Sequence, residues 1–290
     1  MPEKDIVFLN GEFLHKNEAK ISVFDRGFIF GDAIYEVAPI IDGVLVDMNE
    51  FLQRLKRNLK SICIDLPYTQ DELIAFLKEL ISKNKLKEGG LYMQVSRGVT
   101  SRDFAFTKDI KATVMAFVYE AMIEKNPLAT SGVNIIFVPE LRWKRRDIKS
   151  TSLLAQCYAK EMVKKAKAYE GFFVENSYIT EGISSSAFII KNKTLISKPL
   201  SNEILLAIRR GKILRYAKEF GLKVQERAFT VKEVYEADEV FISAATLPIL
   251  AVVKVEDKLI NNGIVGEFSK KLRERYIKGM KEEASINKTL

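Results

Sequence analysis

A chain of 290 residues is too long for one ordinary core and suits two domains of about 100–200 residues each. Hydrophobic residues at 47% and charged residues at 29% describe a soluble globular protein, and no apolar run approaches the ~20 residues that a membrane span needs. The net charge of +8 comes from lysines interleaved with acids, as in Lys78-Glu79, Lys160-Glu161 and Lys218-Glu219; solvated helix faces look like this, so no nucleic-acid partner is expected, and anionic small molecules suit the charge.

The start, Met1-Pro-Glu-Lys-Asp, lacks a signal-peptide core and leads into a strand pattern, so a cytoplasmic location is expected. Ile6–Leu9 and Glu12–Leu14 flank Asn10-Gly11, a strong signal for a hairpin turn. The only histidine, His15, lies in this hairpin. One histidine cannot build a histidine metal site and makes a Ser-His-Asp or Cys-His arrangement unexpected. An irregular Asp/Gly/Phe stretch, 21–30, precedes a strand at 33–41 and a turn at Asp42-Gly43. Met48, Phe51, Leu52, Leu55, Leu59 and Ile62 mark one face of a helix over 48–62, and a second helix is predicted over 70–84.

Strands near 90–97 and 111–119 close the first half. Segment 122–132 has the Pro/Asn/Ser/Gly composition of a linker, dividing a small domain, 1–121, from a larger one, 133–290. The second half reads as strands near 133–138, 171–175, 186–191, 223–228 and 239–243, with helices near 151–169, 204–220 and 264–283. Strands and helices mix without strict βαβ alternation, so the fold class is α+β with mostly antiparallel sheets. Cys63 and Cys157 sit in apolar helical patterns and read as reduced core residues, with neither zinc nor disulfide spacing.

Two segments carry candidate chemistry. Lys149 lies in Asp147-Ile148-Lys149-Ser150-Thr151-Ser152, between a strand and a helix. Its amine could form a Schiff base, or it could be a surface lysine in a basic loop. Glu181 lies in Thr180-Glu181-Gly182-Ile183-Ser184-Ser185-Ser186, a Glu-Gly corner that leads into an apolar strand; by itself this reads as a turn with an exposed Glu181.

Taken together, these segments and their separation resemble the fold-type IV pyridoxal-phosphate enzymes of the branched-chain/D-amino-acid aminotransferase class, and most closely the D-amino-acid branch. The likeness spans essentially the whole chain, through Asp25-Arg26-Gly27, Phe30-Gly31-Asp32, Tyr35-Glu36, Arg54-Leu55, Gln94–Gly98 and Phe241-Ile242-Ser243. It implies a two-domain architecture with a small α/β domain and a larger domain of mostly antiparallel sheet with helices. It also implies pyridoxal 5′-phosphate as cofactor and a homodimer that acts on an amino acid and a 2-oxo acid.

By the same resemblance, Lys149 would bind the cofactor and serve as general base and acid, and Glu181 would pair with the pyridine nitrogen. Arg54, set on the polar face of its helix, would hold the phosphate. The Ile208 backbone, opening helix 204–220, would offer it amides. Leu205 would pack on the ring, and Ser184, Arg209, Ala245 and Thr246 would complete the cofactor site. The D-amino-acid branch carries threonines where this chain has Arg209 and Ala245, so the phosphate cup differs in detail. Ser152-Leu153-Leu154 and the Ser184-Ser185 run also resemble that branch. Tyr35 and Arg102 match its trap for the substrate carboxylate, which the neighbouring subunit completes, while Phe104 stands where that branch has histidine. The expected reaction is therefore transamination of a D-amino acid such as D-alanine with 2-oxoglutarate. The alternatives are an L-branched-chain aminotransferase, an aminodeoxychorismate lyase, or a basic binding protein that kept the fold.

Overall fold

The structure is a computed structural model that describes residues 4–106 and 109–288. Met1, Pro2 and Glu3, on which part of the expectation for the chain's start rests, lie outside the described residues. The chain divides into two compact units. The first comprises Met1–Met122, Ile148–Ser152 and Met280–Leu290; the second comprises Ile123–Asp147 and Leu153–Gly279. This differs from a single cut at 122–132, because two later segments join the first unit.

In the first unit, β1 (Ile6–Leu9) and β2 (Glu12–His15) form the hairpin. Its turn takes left-handed backbone at Asn10 (φ 52°) and Gly11 (φ 101°), which Asn-Gly supplies at low cost. A short helix, α1 (Arg26–Phe30), is capped by the Asp25 side chain on the Gly27 amide. β3 (Ala33–Ile41), β4 (Val44–Leu45), α2 (Met48–Ser61), α3 (Gln70–Lys83), β5 (Gly89–Ser96) and β6 (Thr113–Glu120) follow. α3 starts at a capping box between Thr69 and Glu72.

The six strands form one antiparallel sheet in the order β2-β1-β6-β5-β3-β4. Alternation along β5 and β6 sends Leu91, Met93, Val95, Val114, Ala116 and Val118 to the core shared with Phe51, Leu55 and Leu59 of α2 and Leu73, Leu77 and Leu80 of α3. On β3, Tyr35 stacks on Tyr92 with ring centroids 5.5 Å apart, and Tyr92 stacks on Phe117 at 4.9 Å.

The helix expected over 151–169 does not begin at 151: Ile148–Ser152 is an extended segment. Ser150 bridges Ile34, the Tyr35 amide donates to the Lys149 carbonyl (2.9 Å), and the Thr151 amide donates to Ala33 (3.1 Å). Its backbone groups are taken up by β3, so the helix that follows begins only at Leu154. Gly31 is needed beside this segment. It holds φ 65°, and a Cβ there would lie 2.6 Å from Ser152 Oγ.

The second unit holds α4 (Leu128–Ser131), β7 (Val133–Pro139), α5 (Leu154–Lys165), β8 (Glu170–Glu175), β9 (Tyr178–Gly182), β10 (Ser186–Lys191), β11 (Thr194–Ser197), α6 (Arg210–Glu219), β12 (Lys223–Glu226), α7 (Val231–Glu236), β13 (Glu239–Ala244), β14 (Leu247–Val255), β15 (Lys258–Leu259) and α8 (Glu267–Asn287), whose residues from Met280 belong to the first unit. Its nine-stranded sheet runs β12-β11-β10-β13-β14-β7-β8-β9, with β15 on β14. The β11–β12, β14–β7 and β7–β8 pairs are parallel and the rest antiparallel. Phe172, Ile189, Phe229, Val240, Ile242 and Leu250 lie in its main core, and Val163 and Ala159 of α5 pack on Val138, Phe173 and Ile183. The α+β expectation, with mostly antiparallel sheets, therefore holds.

Four expectations change. α5 stops at Lys165, since Lys167 turns left-handed at φ 53°. α6 begins at Arg210 and not at 204, and the Leu205 amide ahead of it donates to the Glu181 carboxylate. Both cysteines are exposed and are not core residues: Cys63 turns at φ 52° just past the end of α2, and Cys157 lies on the outer face of α5. Arg54 is 4% exposed, so it belongs to the buried side of α2 and not to its polar face. Among the described residues, no helix is long and apolar enough to cross a membrane and no group of His, Cys, Asp or Glu could hold a metal ion.

Candidate active site

Lys149 stands on the extended segment that pairs with β3. Its amide donates to Asn58 Oδ1 (3.5 Å), and its ammonium sits 3.9 Å from the centroid of the Tyr35 ring. The side chain is half-buried, and its nitrogen makes no ion pair among the described residues. The aromatic face accommodates the cation without neutralising it.

Beside it, Glu36 on β3 and Arg54 on α2 form a buried pair. Arg54 Nε donates to both carboxylate oxygens at 3.0 Å and Nη2 to Oε2 at 2.5 Å, while Asn58 donates to Oε1 at 3.1 Å. The expected phosphate holder thus has one edge of its guanidinium on Glu36.

In the second unit, Glu181 is not exposed. β9 carries it inward to 6% exposure. Arg142 Nη1 donates to its Oε1 at 2.6 Å, and the Leu205 amide donates to both oxygens at 3.1 and 3.2 Å. Arg142 also serves Glu140, through Nη2 at 2.6 Å and Nε at 2.9 Å, and Thr180 Oγ1 donates to Glu140 at 2.7 Å. Burial raises both acids, but the donors from Arg142 and Thr180 hold Glu140 below the usual carboxylate range. For Glu181 burial prevails over Arg142 and the Leu205 amide, and the carboxyl is pushed up.

The hydroxyl run divides its work. Ser184 Oγ donates to Glu170 at 2.7 Å, whereas Ser185 Oγ is buried without a partner. Gly182 closes this turn, its amide donating to the Ser185 carbonyl at 2.8 Å; a Cβ there would lie 2.1 Å from Ser185 Oγ. Leu205 is half-buried, Ile208 is buried two residues ahead of α6, and Ala245-Thr246 form the tight turn between β13 and β14. Arg209, 1% exposed, donates through Nε (3.0 Å) and Nη2 to the Ala245 carbonyl and lies 4.7 Å from the Tyr276 ring. The Arg102 guanidinium is exposed over Phe30 (5.6 Å) and Phe104 (5.5 Å), whose rings are 5.4 Å apart.

The first unit thus holds Tyr35, Arg54, Arg102, Phe104 and Lys149, and the second holds Glu181, Ser184, Leu205, Ile208, Arg209, Ala245 and Thr246. Arg142, Glu140 and Ser185 join the site although no role for them is expected from the sequence. Arg142 was one cation in a basic run; its place three residues after the β7 strand was the only available signal.

The class IV aminotransferase family model matches residues 33–255, so the chain belongs to the class IV aminotransferases, enzymes that transfer amino groups with pyridoxal 5′-phosphate. It is 37% identical to a D-alanine aminotransferase of Staphylococcus haemolyticus, over 96% of this chain and 99% of that protein. Its fold matches the branched-chain amino acid aminotransferase of Escherichia coli with a TM-score of 0.88 at 22% identity, covering 97% and 96% of the two chains. It also matches the T.th. branched-chain amino acid aminotransferase solved with pyridoxamine 5′-phosphate, with a TM-score of 0.88 at 21% identity over 97% and 95%. The residues fit such a cofactor: an amine and a buried Ser185 hydroxyl that lack polar partners among the described residues, and a carboxyl that burial pushes up.

Proposed function

We propose that this chain moves the amino group of a D-amino acid, D-alanine foremost, to 2-oxoglutarate by two half-reactions at one site. The observation that carries this reading is the Lys149 ammonium, half-buried against Tyr35 with no ion pair among the described residues. The near full-length likeness to proteins named D-alanine aminotransferase favours the D-amino-acid substrate over L-branched-chain and lyase chemistry.

When bound, the cofactor supplies an electron sink for charge freed at the substrate's α-carbon. Lys149 Nζ would hold the cofactor in the resting enzyme and, as the free amine, would take the substrate α-proton as base and return it as acid. Glu181 presents a carboxylate to the ring nitrogen, with Arg142 and the Leu205 amide fixing its direction. The phosphate falls to Arg54, the backbone before α6 and the Ala245-Thr246 turn, and Ser185 is better placed than Ser184 to add a hydroxyl, since Ser184 already serves Glu170. Leu205 packs on the ring. Arg102, with Tyr35 and Phe104, receives the substrate carboxylate across a homodimer. A cytoplasmic location suits this chemistry.

Borohydride reduction of the holoenzyme followed by peptide mapping tests the lysine, and a label on any other lysine overturns the assignment. A panel of D-alanine, L-leucine and aminodeoxychorismate tests the substrate. Turnover of D-alanine is expected to dominate, and preference for either alternative reassigns the reaction.

A further inference from the structure

The loop that carries Arg102 has little of its own to hold it. Residues 101 to 106 are all exposed, including Phe104 at 76% and Phe106 at 58%. Such a loop does not take one conformation unless something fixes its backbone. Besides the Ala105 amide on Asp103 Oδ1 (3.1 Å) and the ring contacts of Phe104 and Phe106, one side chain gathers the loop's carbonyls. Arg26, 3% exposed, points its guanidinium at three consecutive carbonyls: Nη1 donates to Asp103 and to Ala105 (3.4 Å), and Nη2 donates to Phe104 (3.2 Å).

Arg26 is itself immobilised. Its Nε donates to Asp32 Oδ2 at 2.7 Å, and its guanidinium carbon lies 4.9 Å from the Phe30 ring and 5.9 Å from the Phe106 ring. Asp32 is shared with Arg97, at 2.7 Å from Nε and 3.0 Å from Nη2. Arg97 in turn donates to the Ile62 and Cys63 carbonyls at 2.7 and 2.9 Å, just past α2, and covers Phe106 at 3.5 Å. Two arginines on one carboxylate leave an excess positive charge, and the loop carbonyls are the dipoles that face it. Burial works against the Asp32 charge, but the Arg97 and Arg26 donors hold it ionised.

We propose that Arg26 is the positioning residue of the substrate loop: by gathering the Asp103, Phe104 and Ala105 carbonyls on one buried guanidinium, it sets where Arg102 and Phe104 stand and so governs capture of the substrate carboxylate. This rests on the reading of Arg102 as the carboxylate binder. Only a planar fork of donors reaches three carbonyls while keeping a fourth bond to Asp32; a lysine at this position would retain the charge and lose the convergence. Arg26 touches neither reacting atoms nor, by its burial, solvent; its effect passes through the loop.

The test uses the holoenzyme with Arg26→Lys, Arg102→Leu and the double variant. Arg26→Lys is expected to raise KM for both the amino acid and the 2-oxo acid by about tenfold, the scale of lost charge-assisted hydrogen bonds, with kcat changed far less. In the Arg102→Leu background the same change is expected to add little, because the group it positions is gone. Hydrogen exchange across residues 99–106 is expected to accelerate in Arg26→Lys, while the cofactor absorbance spectrum stays as in wild type. Should Arg26→Lys fail to fold, Asp32→Asn, which loosens the hold on Arg26, is expected to give the same KM shift and faster loop exchange in smaller measure. Unchanged KM and unchanged exchange overturn the proposal, as do additive effects in the double variant. Arg102→Leu with an unaltered KM sinks the carboxylate-binder reading instead, and the exchange data then still report separately whether Arg26 anchors the loop.

Discussion

Two buried arginines, Arg54 and Arg142, meet glutamates in opposite ways. Arg54 meets Glu36 edge to carboxylate, and Asn58 donates to the same acid. Arg142 is divided between Glu140 and Glu181, and Arg146, the next cation, stands 3.6 Å from Glu140 while its better bond goes to Glu175 at 2.9 Å. The donors from Arg142 and Thr180 hold Glu140 low, whereas burial outweighs Arg142 and the Leu205 amide at Glu181 and pushes it up. The Glu36–Arg54 pair braces α2 on β3, whereas Glu181, its carboxyl raised by burial, gains from a cation brought to it. The pyridine nitrogen, protonated when paired with Glu181, is such a cation in the proposed site.

The largest expected effect sharpens this contrast at its functional end. Glu181→Gln should leave a folded protein that binds cofactor but turns over about a thousandfold more slowly, ~4 kcal/mol of barrier, because a neutral amide no longer holds the ring proton. Steady-state kcat on the holoenzyme measures it, and near-wild-type turnover would make Glu181 a structural residue like Glu36.

At the structural end, Arg54→Met should strand Glu36 without its ionic partner and cost about 3 kcal/mol of stability. Adding Glu36→Leu should return much of that loss, as removal of both members of a buried pair does. Thermal or urea unfolding of the three proteins decides whether the pair is a strut. A loss of cofactor affinity in Arg54→Met that exceeds the loss in the double variant would point to a phosphate contact as well.

A pH comparison follows from the raised Glu181 carboxyl. An acid whose folded pKa lies above its unfolded value binds more protons when folded, so stability falls as pH rises from the unfolded carboxylate range up to the raised value. The apoprotein of Glu181→Gln lacks that loss. Its melting temperature should gain on wild type as pH is raised from about 4 toward neutrality, and a constant difference would show that Arg142 neutralises Glu181 fully.

The smallest expected effect concerns the turn at Ala245. Arg209→Thr removes two donations to one carbonyl and leaves a space against Tyr276, which should cost about 1–2 kcal/mol. If Arg209 serves only this turn, the variant's cofactor affinity, measured by fluorescence quenching on the apoprotein, should fall only slightly. A fall comparable to that of Arg54→Met would make Arg209 a direct phosphate contact.

Features whose cause is local were legible in the sequence. Asn10-Gly11 specified its turn because few residues enter left-handed backbone cheaply. The spacing of Phe51, Leu55 and Leu59 specified the buried stripe of α2, and the helix expected over 70–84 is present as α3. Lys149 and Glu181 stood out through their motif segments, and the family to which the chain belongs agrees with that resemblance. The tertiary structure decided matters in which a group's partner is distant along the chain. It made 151–152 part of an extended segment on β3, turned the Leu205 amide to Glu181 ahead of α6, and buried Arg54 against Glu36. It also gave Arg26 and Arg142, two cations among 46, their particular carbonyls and carboxylates. A periodic pattern records which face of an element avoids water, but it carries no record of which charge waits on the far strand; packing alone chooses that partner, because a charge is buried only where its counter-charge is already in place.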